Sequence, residues 1–262
     1  MKYEFFEISK NIKCCLVYID NLSNSIKKLI DEFFLEIIIG KINSQRAIKY
    51  DNEEAFINAA KYILSKNNRN SQVGIIGEFL FHCLMRITDS KIEFLSCCPT
   101  IGFSDSYRGF FKGFDGCYYS NNGIWIAEIK SKLKTNNLDK DNEAKLKIAS
   151  KQLEKEVRDK EINRWENAKK YVSLQLTNEE FDDNNIYELL TKSNAILNYN
   201  KILGTMIICP NSDFDKEYIK KYASNLIDAE VENQNLFMMC IRNYDYKIIV
   251  NYIKQRFGEK HE

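Results

Sequence analysis

Proline and glycine are scarce in this 262-residue chain: Pro99 and Pro210 are the only prolines, and there are 10 glycines. That scarcity excludes collagen-like and low-complexity classes and leaves little room for long disordered linkers. Charge of one sign is missing too, with 38 Lys and Arg against 37 Asp and Glu. The chain therefore lacks the overall positive field of a protein that holds nucleic acid by net charge, and any such contact must come from local clusters. No apolar run approaches the roughly 18 residues of a membrane span, and Glu4, Glu7 and Lys10 interrupt the apolar start a signal peptide would need. A cytoplasmic location is expected. The 8 cysteines, at positions 14, 15, 83, 97, 98, 117, 209 and 240, form no C-x-x-C pair; they read as reduced core thiols rather than a zinc framework. A G-x-x-x-x-G-K-[ST] segment is also absent, so an ATP-driven motor would have to come from a partner.

What is present, 44% hydrophobic and 29% charged residues, suits a globular chain of one large domain or two small ones that buries its core without staples. Residues 12–19 read as a strand, 25–39 as an amphipathic helix stopped by Gly40, and 52–64 as a second helix. Residues 71–87 are apolar on nearly all sides and predict a buried helix with Glu78 in its middle. A short strand near 92–97 precedes two more at 113–119 and 124–129, joined by Ser120-Asn121-Asn122-Gly123. Residues 139–172 predict one long helix or two successive ones, and the last third alternates strand (203–209), helix (215–231), strand (235–241) and helix (246–257). The fold class expected is α/β, with residues 1–70 as an N-terminal portion suited to partner docking and residues 71–262 as the core.

Four Asp/Glu-x-Lys triplets occur, at Asp89, Glu128, Glu143 and Asp245. Chance alone supplies such triplets in a Lys- and Glu-rich chain, so context must separate them. Helix-end or solvated-helix positions account for the other three. Only Glu128 falls inside a strand, where alternation in Ile124-Trp125-Ile126-Ala127-Glu128-Ile129-Lys130 puts Glu128 and Lys130 on one face with Ile124 and Ile126. Burying such charges costs several kcal/mol per ion unless each has partners. Asp115 supplies one: a hairpin centred on Asn121-Asn122 sets it opposite Glu128, and one centred on Asn122-Gly123 sets it opposite Lys130. Both registers align the three on one face.

Paired carboxylates repel, so they need a cation or a raised pKa, and hard oxygen ligands suit Mg²⁺ or Mn²⁺. A metal so held activates a water and polarises a phosphoryl oxygen. A charged hairpin with an ordinary Asp115–Lys130 ion pair is the competing interpretation; Glu78, a carboxylate in a very apolar helix, weighs against it. His82, one turn after Glu78, reads as a satisfied core histidine. The lysines at 130, 132 and 134 read equally as a phosphate grip or a solvated run, Gln152 as a solvated helical residue, and the aromatics between Phe103 and Phe114 as packing.

Gly77-Glu78 on a helix, then Lys112-Gly113-Phe114-Asp115, a turn, and Ile124 to Lys130 resemble the HamA family, the PD-(D/E)xK nuclease subunits of Hachiman anti-phage defence. The resemblance covers roughly residues 70 to 135, departing at Ala127, Ser131 and Lys132. It implies a restriction-endonuclease-like core with a mixed sheet flanked by helices. It further implies catalytic roles for Asp115, Glu128, Lys130 and Glu78, with Asp115, Glu128 and Glu78 at the metal. The activity implied is Mg²⁺-dependent cleavage of DNA, restrained and loaded by a helicase partner, HamB. The alternatives are a nuclease-fold module that binds DNA or protein without catalysis, and a site-specific restriction or repair endonuclease.

Overall fold

The computed structural model describes residues 2–19, 24–64, 69–92, 96–99, 103–104, 109–110, 114–120, 123–159, 164–175, 190, 199–210, 214–226 and 233–258. Its strands are β1 (Lys2–Ser9), β2 (Ile12–Ile19), β3 (Ser96–Pro99), β4 (Phe103–Ser104), β5 (Gly109–Phe110), β6 (Gly116–Ser120), β7 (Gly123–Lys132), β8 (Tyr199–Ile208) and β9 (Gln234–Ile241). The helices are α1 (Asn24–Ile39), α2 (Lys41–Lys49), α3 (Glu53–Leu64), α4 (Arg69–Ile92), α5 (Leu138–Val157), α6 (Arg164–Gln175), α7 (Lys216–Ala223) and α8 (Asn243–Phe257).

Seven strands form one sheet in the order β1-β2-β9-β8-β7-β6-β3, and β4 and β5 pair separately. The middle four run parallel, while β1, β6 and β3 pair antiparallel at the two sides. Parallel strands covered by helices on both faces read as continuous apolar runs, and all 10 residues of β8 and all 8 of β9 are buried. Two cores result, one per face. Trp125, Ala127 and Ile129 pack with α1, α3, α4 and α8, while Ile124 and Ile126 pack with α5, α6 and α7. The expected α/β core, a mixed sheet between helices, is the fold.

Several expected elements shift at their ends. The helix expected over 71–87 runs from Arg69 to Ile92, so the neighbouring strand begins at Ser96 rather than near 92. The charged stretch after the motif is two helices, α5 and α6. β1 and α2 have no counterpart in the sequence expectations. Residues 227–231 of the helix expected over 215–231 lie outside the described residues, and α7 gives way to a 3₁₀ turn at Ser224–Leu226. Gly40 ends α1 with φ 87°, a left-handed conformation open to glycine. The first seventy residues share the sheet with the rest, since β2 pairs with β9 from Ile12↔Gln234 through Ile19↔Ile241.

The approach of α4 to β7 positions the site, and Gly77 permits it. A Cβ there would collide with Ser131 Oγ and lie 3.2 Å from Met206 Cε and 3.3 Å from Met206 Cβ. Gly77→Val should lower stability by about 1–3 kcal/mol, as overpacking does, measured by urea unfolding; an unchanged midpoint would mean that α4 is free to stand off the sheet.

Candidate active site

The hairpin adopts the first of the two registers, with Cys117↔Ile126 and Ser120↔Gly123. Its pairing ends at Gly116↔Ala127, so β7 continues past the start of β6, and the next position sets Asp115 opposite Glu128. Past that pairing, the Ile129 N–H gives its hydrogen to Asp115 Oδ2 at 2.8 Å. The carboxylate thereby completes the ladder where β6 has not yet begun.

His82 fixes the backbone of the same residue. Its Nε2 lies 2.9 Å from the Asp115 carbonyl oxygen and its Nδ1 2.7 Å from the Tyr118 hydroxyl. A carbonyl only accepts, so Nε2 carries the proton, and Nδ1 accepts from Tyr118. Burial, then the charge of Arg86, push the His82 pKa down to about 3 against the pull of that carbonyl. The imidazole is a neutral clamp rather than a general base. Arg86 is itself held by Glu36 of α1 at 2.5 Å.

Glu128 is fully buried. Its Oε1 accepts from Lys130 Nζ, while its Oε2 is buried with no hydrogen-bond partner. Burial first, then the Asp115 and Glu156 carboxylates, push its pKa up to about 10 despite Lys130. Burial also raises Asp115, against Lys130, the Ile129 N–H and a hydrogen bond shared with the Glu128 carboxyl. The same enclosure raises Glu78, with Asp115 adding to it and Lys130 opposing. Burial works against the charge of Lys130, but Glu128 and Asp115 outweigh it and hold its pKa above the usual lysine range. The structure thus brings Asp115, Glu128 and Lys130 together on adjoining strands, with Glu78 approaching from α4. Among the described residues no group of three His, Cys, Asp or Glu is arranged to hold a metal.

Two residues of this neighbourhood were not foreseen. Glu156 on α5 accepts from Gln152 at 2.9 Å and pairs with Arg164 of α6 at 3.0 Å, and its Oε2 is buried without a hydrogen-bond partner. Burial raises its pKa, with Asp115 adding to the rise. The only sequence signal was the Gln152/Glu156 spacing of one helical turn. Of the aromatic stretch, Phe114 is buried against Trp165 with ring centroids 4.8 Å apart; Lys112, Gly113, Tyr107 and Phe111 lie outside the described residues.

A mixed sheet between helices, with an Asp at the head of one strand and Glu-x-Lys on its antiparallel neighbour, defines a core of the PD-(D/E)xK, restriction-endonuclease-like class. The HamA family model matches residues 2–257, and the chain belongs to the HamA family, placing it among the components of Hachiman anti-phage defence. No curated protein and no solved structure matches it. No described helix is long and apolar enough to cross a membrane.

The His82 clamp has a pH signature. Its folded pKa lies below the unfolded value, so the unfolded chain binds the extra proton, and stability falls as pH drops from about 6.5 toward 3. Between pH 7 and 5 His82 should account for a loss on the order of 2 kcal/mol. Unfolding of wild type and His82→Asn at both pH values reads this as the difference between their pH slopes; equal slopes would mean that His82 titrates normally in the fold.

Proposed function

We propose that the chain is a metal-dependent deoxyribonuclease that hydrolyses phosphodiester bonds in phage defence, using Mg²⁺ or Mn²⁺ held by Asp115 and Glu128. The observation that carries this reading is Glu128 Oε2: a carboxylate oxygen without a partner, buried beside a second carboxylate and a lysine. An orphaned buried acceptor is costly, and a hard cation is the partner that oxygen ligands select. One or two carboxylates suffice for Mg²⁺, which otherwise keeps its waters.

When bound, such an ion supplies an activated water and polarises a phosphoryl oxygen. The chain's own residues do the rest. Lys130, kept protonated by the carboxylates around it, orients the attacking water and offsets charge growing on the phosphorus. Glu78 adds a carboxylate at the rim of the same site. His82 and the Ile129 N–H keep Asp115 from turning away, and the enclosing apolar side chains restrict bulk water. A helicase partner that restrains the nuclease and delivers DNA agrees with the near-neutral net charge, which leaves DNA affinity to be borrowed.

A second reading, a binding module without catalysis, draws on the Lys130–Glu128 ion pair, which is complete without a metal. Incubating the protein with plasmid DNA, alone and with a HamB-type helicase, separates the two. Cleavage should require Mg²⁺ or Mn²⁺ and should fall on the order of a hundredfold or more in Glu128→Ala and in Lys130→Ala. Degradation that survives both substitutions contradicts the site, and absence of cleavage under every condition favours the binding module. Discrete fragments instead of progressive degradation would indicate a site-specific enzyme.

A further inference from the structure

Three lysines converge just beyond the carboxylates. Lys130 and Lys132 lie on the face of β7 that carries Glu128, since side chains two residues apart on a strand share a face. α5 crosses that face, and Lys132 Nζ lies 2.5 Å from Asp141 Oδ1. Lys145 follows Asp141 by one helical turn, on the same side of α5. Burial, then the charges of Lys132 and Lys130, hold the Lys145 pKa below the usual lysine range. Asp141 is fully engaged, with one oxygen taken by Lys132 and the other by the Thr135 hydroxyl. Lys145 forms no salt bridge among the described residues.

With Lys130 paired to Glu128 and Lys132 to Asp141, Lys145 is the cation of the three that no described carboxylate holds, and its half-buried place beside Lys132 favours an arriving anion. Its setting narrows the anion's identity. Strand rise puts Lys130 and Lys132 about 6.7 Å apart along β7, close to the separation of neighbouring phosphates in a nucleic-acid strand. The polarity is ordered as well: carboxylates at Asp115, Glu128 and Glu156, then lysines at 130, 132 and 145.

We propose that Lys132 and Lys145 form a subsite for the backbone phosphate next to the one held at Asp115 and Glu128, so that the nucleic-acid strand runs along β7 from Glu128 toward Thr135. The identity of the anion as a phosphodiester rests on the nuclease reading, but the subsite can be tested without cleavage.

The test is binding of fluorescein-labelled duplex DNA by the full chain in EDTA, from 25 to 200 mM KCl (about the span over which phosphate contacts are resolved). Each phosphate contact contributes about −0.9 to the slope of log K against log salt. Lys132→Gln and Lys145→Gln should each flatten the slope by about one contact and weaken binding by about tenfold irrespective of sequence, and the double variant by both steps. Lys145→Arg keeps the charge and should keep the slope, which separates charge from misfolding. Slopes that stay at the wild-type value in both Gln variants overturn the subsite, as does a wild-type chain that does not bind DNA at 25 mM KCl. Competition by inorganic phosphate equal to that by an oligonucleotide would identify a free-phosphate site and overturn it too. Lysine-dependent slopes in a protein that never cleaves would support the subsite while contradicting the nuclease reading; cleavage with lysine-independent binding would do the reverse.

Discussion

Asp115 and Glu128 face each other across the end of an antiparallel pair, Glu128 buried and Asp115 half-buried, and much of the surrounding structure answers the electrostatic difficulty that creates. Desolvating two like charges costs several kcal/mol per ion unless hydrogen bonds or opposite charges intervene. The chain supplies the Ile129 N–H to one carboxylate and the Lys130 ammonium to the other. It does not finish the task, because Glu128 Oε2 remains without a partner. A fold built only for stability would have apolar groups there; the divalent cation proposed above would supply the partner that this oxygen lacks.

The architecture explains how such a cluster is tolerated. β6 starts one residue after Asp115, so among the described residues no strand pairs with that side of β7 beyond Ala127, and the polar groups gather there rather than inside the sheet. α4 closes it from one face, brought near by Gly77, and contributes both Glu78 and the His82 clamp. α5 closes it from the other, with Asn142 bonded to Thr205, Lys145 near the lysines and Glu156 near Asp115. Helices from both layers therefore meet one strand end, the C-terminal part of a parallel strand, where α/β sheets present their ligand sites. The N-terminal residues join this arrangement through Glu36, whose pairing with Arg86 braces α4 one turn beyond His82.

Much of this was legible in the sequence because period-two alternation is strict in β7: Trp125, Ala127 and Ile129 fall to one core and Ile124 and Ile126 to the other. The hairpin register was not legible. Asn122-Gly123 is the stronger local turn signal, yet the chain pairs around Asn121-Asn122. β1 escaped notice because among the described strands it is a side strand paired only to β2, with all eight of its residues exposed or half-buried. α2 escaped because its nine residues bury only Ser44 and Ala47 and so show little apolar periodicity. Glu156 and Arg164 belong to different helices, and a contact between them depends on how α6 returns to α5, which no local pattern encodes. His82 was read correctly as a core histidine, but its partner, the Asp115 carbonyl 33 residues away, gives it a positioning role that spacing could not reveal.

The central claim is that the buried carboxylates await a divalent cation rather than serving stability. Thermal unfolding of wild type and Glu128→Gln, in EDTA and across a Mg²⁺ titration, tests it without any cleavage assay. Removing a crowded, raised-pKa carboxyl should leave Glu128→Gln as stable as wild type in EDTA or more so, by about 2–4 °C per kcal/mol in a chain of this size. Mg²⁺ should then raise the wild-type midpoint in step with its concentration and leave the variant unmoved. A variant several degrees less stable in EDTA, together with a wild type indifferent to Mg²⁺, would show that Glu128 and Lys130 are a structural ion pair and contradict the account.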